Sequence, residues 1–261
     1  VFFGLFAAFL FTVSVTAQTG LGFSALRTGL IMLPFALGGA VGALVSPTMA
    51  ARWRSRTLTA GLAVFGLAVG TVAVVIRPET GAVDPVLLAA PVFLAGLGMG
   101  LFAAPLPAFA LAGLGHRAAG AASGVVPTMQ QLGTSIGLAA GGVVFFARVD
   151  GQAADGVRHA AAVLDSNLAA AGVSTERRTR LVDDFADCVS STLISPTPVS
   201  APNTCRIGDP AVDGALDAAV RLATGQTFLA AYTTLLWIVA AVALALTVLT
   251  PVLRTPEQNH A

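Results

Sequence analysis

Two adjacent primary amides, Gln130 and Gln131, stand beside the hydroxyls of Thr128, Thr134 and Ser135 in a run, 118–147, without a single Asp, Glu, Lys or Arg. Their chemistry is hydrogen bonding without charge. An amide left facing hydrocarbon costs about 2–7 kcal/mol, so at least one of the pair is expected to face another helix or a water-filled cavity. Two roles fit: interhelical glue, and the lining of a substrate path, with Thr134 sharing the second. Gln18, Thr224, Gln226 and Tyr232 lie around the ends of other apolar runs. They are weaker cavity candidates, because an interface tolerates polar groups.

Other chemistries find little support. All 14 basic residues are arginine, so no phosphate-cradling Gly-x-x-x-x-Gly-Lys loop is present. There is no zinc-ligand spacing, no H-E-x-x-H and no convincing Ser-His-Asp set. His116, His159 and His260 read as surface residues. No catalytic residue, metal or cofactor is expected, and the chain does not read as an enzyme. A nucleic-acid partner is not expected either.

The elements that position the amides follow from composition. Of 261 residues, 56% are hydrophobic and 10% charged, and the mean hydropathy is +0.83. That balance belongs in a bilayer. Charged residues are absent from 1–26, 28–51, 57–76, 85–116, 118–147 and 222–253. A helix needs roughly 20 apolar residues to cross a hydrocarbon core. The intervals therefore predict six spans, near 1–17, 29–50, 58–76, 86–112, 121–146 and 228–250. None shows strand alternation, and lipid admits only helices or closed barrels. The expected fold is an all-α integral membrane bundle. Its expected divisions are helices one to five in 1–147, an extracytoplasmic loop in 148–226, a sixth span in 227–253 and a cytoplasmic tail in 254–261. The opening residue, Val1, is already inside an apolar run, which reads as a truncated start.

Small residues recur in register within the spans. Gly38, Gly42 and Ser46 follow i, i+4, i+8 spacing; Gly66 and Gly70 pair; Gly133, Gly137 and Gly141 form a stripe. Such stripes let helix backbones approach, either as static seams or as seams over which helices rock. Pro34, Pro47, Pro91, Pro105, Pro107 and Pro127 occupy or border spans two, four and five, where each removes a backbone hydrogen bond.

Arginine in short links predicts orientation. Arg52, Arg54 and Arg56 join spans two and three without an acid; Arg117 joins four and five; Arg254 follows span six. These sides are expected to be cytoplasmic, which puts the segment between Arg148 and Arg221 outside. It holds ten of the chain's 13 acids and both cysteines, Cys188 and Cys205. An oxidising exterior permits a disulfide there, closing a loop of about 16 residues for about 3 kcal/mol; two unrelated thiols are the alternative. Leu181, Phe185 and Val189 after Ser174, and Val212, Leu216 and Val220 before span six, predict two short amphipathic helices.

Three stretches carry a family resemblance: "QTGLGFSALRTGLIMLP" from Gln18, "GALVSPTMAARWRSRTLTAGL" from Gly42, and "GAASGVVPTMQQLGTSIGLAAGG" from Gly120. The chain resembles the C-terminal six helices of the major facilitator superfamily, in its fourteen-helix drug:proton antiporter branch. The family's basic loop usually holds an Asp before its first Arg and a Gly soon after; Ala51 and Arg54 stand in those places here. The resemblance implies an exporter in the bacterial inner membrane that works by alternating access on a small-molecule substrate, with protons as the coupling ion. It also implies an N-terminal half that carries the titrating acid; no Asp, Glu, Lys or Arg lies in these spans. A metabolite transporter of the same fold, or a membrane scaffold or sensor that binds through its outer loop, are the alternatives.

Overall fold

The computed structural model describes residues 1–111, 116–192 and 210–252, with side chains over 1–111, 124–189 and 212–249. Eight α-helices occur among the described residues. α1 (Phe2–Val15) runs into a π-helical turn at Thr16–Gly20. α2 (Ala25–Trp53), α3 (Arg56–Val75), α4 (Pro85–Ala103) and α5 (Leu106–Leu111) follow, then α6 (His116–Ala170), α7 (Thr175–Thr192) and α8 (Pro210–Val252). Among the described residues six helical stretches are long and apolar enough to cross a membrane: α1 with its π turn, α2, α3, α4 with α5, α6 and α8. The chain is a multi-pass helical membrane protein.

Local chemistry sets the helix ends. Ser24 caps α2, its Oγ accepting from the Arg27 amide at 3.2 Å, and Asp84 caps α4, accepting from Val86 N–H at 2.9 Å just ahead of Pro85. α4 stops at Ala103 and the chain re-enters helix at Leu106, with Pro105 in the gap. Pro34, Pro47, Pro91 and Pro127 lie inside α2, α4 and α6. These helices continue through them, as membrane helices tolerate proline.

The bundle is held pairwise: α2 packs on α4, α4 on α3, α3 on α8, α8 on α6 and α6 on α1. Phe9, Phe65 and Phe145, all fully buried, anchor the membrane core with Val69, Leu236 and Val239. A second core lies outside it, where Leu164 and Leu168 of α6 meet Leu181, Phe185 and Val189 of α7 and Leu216 of α8.

The segment after Arg148 differs from the expected loop with two short helices. α6 crosses position 147 without a break and continues to Ala170, because 147–170 is alanine-rich, proline-free and apolar at Val157, Ala160, Leu164 and Leu168. Gly172, at φ +76°, ends it. The helix expected around Leu181–Val189 is α7, with the Ser174 carbonyl accepting the Arg178 amide at 2.9 Å. The one expected around Val212–Val220 is the first part of α8 rather than a separate element. The result is a three-helix cap continuous with two membrane helices. Arg178 pairs with Asp165 at 3.4 Å and ties α7 to α6.

Candidate functional site

The glycine stripes pack as backbone-to-backbone seams. A Cβ added to Gly38 would run into the carbonyl oxygen of Phe93, and one on Gly42 into that of Leu97. α4 answers with Gly96 and Gly100, where a Cβ would strike the Phe35 and Gly39 carbonyls. Gly98, on another face of α4, meets the Phe65 amide of α3. Helix α4 is thus small on two faces, a feature the alternating G-x-G-x-G of Gly96, Gly98 and Gly100 carries and the stripe reading passed over. Gly66 and Gly70 lie against Ala243 and Ala240 of α8, at 3.1 and 3.6 Å from an ideal Cβ.

The stripe on α6 meets α1. Gly137 sits on the backbone of Gly4, and Gly141 leaves 2.5 Å between an ideal Cβ and the Ala8 Cβ. Gly133 is looser, with its nearest atom, the Val1 nitrogen, at 4.0 Å. Gly4 and Ala8 show the i, i+4 spacing of small residues and were detectable on that basis.

The most open membrane helices are α2 and α6. On α2, Leu30, Leu33, Leu37 and Leu44 stand exposed opposite the buried Gly38–Gly42–Ser46 stripe. On α6, Val125, Met129, Leu132 and Ile136 are exposed, and Gln131 is exposed among them while Gln130 and Thr134 are half-buried. The Thr134 hydroxyl donates to the Gln130 backbone carbonyl at 2.8 Å. Among the described residues neither Gln130 nor Gln131 makes a side-chain hydrogen bond.

The remaining cavity candidates do not join them. α1 and α6 run parallel, with Gly4 opposite Gly137 and Ala8 opposite Gly141. In that register Gln18 lies level with Gly151, roughly 30 Å along the helix from Gln131. Its Nε2 donates to Ser14 Oγ at 2.6 Å. Tyr232 is buried, 5% exposed, in the membrane core. Thr224 is likewise buried, its hydroxyl donating to the Val220 carbonyl at 2.9 Å.

The arginine turn is tight. Arg54 closes α2 at φ +52°, ψ −134°, and Arg56 already begins α3. That is backbone geometry suited to glycine, so the residue standing where the resembled family places Gly holds a strained conformation. Arg52, in the last turn of α2, is placed to favour its C-terminal carbonyls. In the cap, Cys188 is disulfide-bonded; Cys205 lies outside the described residues.

Residues 1–138 match the family model of the Major Facilitator Superfamily. Over 228 residues the chain is 34% identical to a "Probable actinorhodin transporter" of Streptomyces coelicolor, a match covering 86% of this chain and 39% of that protein. It is 36% identical over 137 residues to a puromycin resistance protein of Streptomyces alboniger, covering 52% of this chain and 27% of that one. A cephamycin export protein of Amycolatopsis lactamdurans matches at 33% over 130 residues, or 49% of this chain and 26% of the relative. The chain thus spans less than two-fifths of the length of these relatives. No solved structure matches. The six apolar helices, the glycine seams between them and the match over more than half of the chain lead to one conclusion: this chain belongs to the Major Facilitator Superfamily of membrane transporters.

Proposed function

We propose that the chain is the C-terminal six-helix half of a secondary transporter that exports small amphiphilic compounds from a bacterial cell by alternating access. The observation that carries this reading is Gln131, exposed on an apolar helix and without a side-chain hydrogen bond among the described residues. An amide so placed is stable only where water or another protein surface meets it. A second bundle docked over α2 and α6, with a watered cavity between the halves, supplies both. Gln130 and Thr134 complete a neutral polar patch on the cavity wall. Three relatives named for transport of, or resistance to, antibiotics support efflux of compounds of that size.

Proton coupling requires a titrating acid, and α1 to α5 and the membrane part of α6 and α8 hold no Asp, Glu, Lys or Arg between the helix-end arginines. The acid belongs to the partner half in this reading. Orientation follows the arginine links: the Arg52–Arg56 turn and the C-terminus face the cytoplasm, and the cap faces outward. Single cysteines at Arg54 and Arg158 test this with an impermeant thiol reagent on whole cells. Position 158 is expected to react and position 54 to be silent; labelling of both from outside contradicts the orientation.

A further inference from the structure

The C-terminal end of α1 is wound differently from the rest of that helix. After Val15 it widens into the π turn Thr16–Gly20, where the Leu21 amide donates to the Thr16 carbonyl at 2.9 Å and the Phe23 amide to the Ala17 carbonyl at 2.9 Å. These bonds reach five and six residues back instead of four, a rare winding that occurs mostly as single turns and frequently at functional sites. Thr16 adds a second unfavourable feature. It is 3% exposed and, among the described residues, its Oγ1 has no hydrogen-bond partner. Thr12, one turn earlier, donates to the Ala8 carbonyl at 2.7 Å, and Thr227 of α8 donates to the Ala223 carbonyl at 2.8 Å. A buried hydroxyl left unpaired destabilises the arrangement that holds it. Packing must offset both features at this one place.

That packing is the contact of Gly20 with α8. A Cβ built on Gly20 would lie 2.5 Å from the Phe228 Cβ and 2.8 Å from its Cγ, so the π turn seats there only because the residue is glycine. Phe228 is 5% exposed and belongs to the membrane core. Thr19 and Leu21 flank Gly20, and each carries a Cβ. An α-helix turns about 100° per residue, so rewinding the π turn to α-helix rotates Gly20 off Phe228 and brings a neighbour with a side chain toward it. That neighbour does not fit at the present separation. The winding of α1 and its distance from α8 are thus coupled, and two arrangements are self-consistent: a π turn seated on Phe228, and an α-helical turn standing off it. We propose that residues 16–20 form a two-position latch between α1 and α8, seated in this structure, whose release rewinds the turn, gives the Thr16 hydroxyl a carbonyl partner and uncovers Ala17.

The test is the reactivity of a cysteine replacing Ala17, a position 7% exposed in the seated form. The full-length protein in nanodiscs is treated, unreduced, with a water-soluble maleimide, and modification of the peptide carrying position 17 is timed by mass spectrometry. Gly20→Ala, which blocks the seat, should speed the reaction at least tenfold. Thr16→Val removes the unpaired hydroxyl with little change of shape and should slow the reaction about threefold or more, because the seated form alone leaves that hydroxyl unpaired. A cysteine replacing Ala68 of α3, 3% exposed, should stay unreactive in every background. The opposite signs separate a latch from a seam that merely loosens, since any packing defect would speed the reaction; Thr16→Val also decides the point by itself if Gly20→Ala fails to fold. An unchanged or faster reaction with Thr16→Val, no acceleration in folded Gly20→Ala, or equal reaction at position 68 overturns the latch. Reactivity is read without transport, so its failure leaves the export reading standing.

Discussion

Gly137 of α6 rests directly on the backbone of Gly4 in α1, so closely that a methyl group on either residue would meet main-chain atoms of the other helix. In lipid, where no hydrophobic force drives helices together, this approach provides the dispersion contacts that join α1 to α6. Gly137→Ala should therefore cost about 1–3 kcal/mol through overpacking. Gly133→Ala, four residues earlier and with 4.0 Å of clearance, should be close to neutral. Unfolding of the purified protein in detergent checks the contrast; equal effects of the two substitutions would show that the seam is not tight.

Arg54 gives a prediction of opposite sign. Its φ of +52° with ψ of −134° carries a strain of about 1–3 kcal/mol that glycine does not incur. Arg54→Gly is expected to stabilise the protein, less than that strain because glycine also gains freedom on unfolding. Arg54→Ala should not stabilise it. Melting temperatures of the two variants in one detergent decide the point.

The cap has its own core and a disulfide at Cys188. Loss of that bond removes a constraint on the unfolded chain, and about 2–4 kcal/mol of cap stability should go with it. Under reducing conditions amide exchange should quicken over 157–189 and stay slow at buried α3 positions such as Phe65 and Val69. Uniform quickening across both regions would mean that cap and bundle unfold together. Thiol alkylation of unreduced, denatured protein tests the pairing of Cys188 with Cys205, and modification of both residues would refute it.

The two glutamines separate structure from function. Gln131→Leu removes no side-chain hydrogen bond among the described residues, so folded yield should hold while the range of exported compounds changes. Gln18→Leu, roughly 30 Å away along the α1–α6 register, should leave that range alone. Expression-normalised resistance profiles against several amphiphilic compounds read both variants. A collapse of folded Gln131→Leu protein would assign the residue to structural glue.

Six spans were legible because charge is excluded from hydrocarbon, and gaps in charge locate helices without any knowledge of packing. The course of α6 past Arg148 was not, since a charge marks the membrane edge and not the helix end; the alanine-rich stretch to Ala170 carried that signal. The stripes at Gly38–Gly42 and Gly137–Gly141 were visible as spacing, but spacing does not name a partner, and Gly4 and Gly96 are known as partners only from the packing. Tyr232 illustrates the converse: its polar tip made it a cavity candidate, while its burial in the membrane core was not legible from its place near the end of an apolar run. The contact of the Gln226 side chain with the Glu79 carbonyl joins segments 147 residues apart, so no local pattern announced it.

The central claim is export through a cavity walled by the outward amides of α6. Its most direct measurement is efflux of a fluorescent amphiphilic dye from cells expressing the full-length protein, with and without a protonophore and with Gln131→Leu alongside. The account predicts protonophore-sensitive efflux whose compound preference shifts in the variant at equal membrane abundance. Efflux indifferent to the protonophore, or a variant indistinguishable from the parent for every compound, would contradict it.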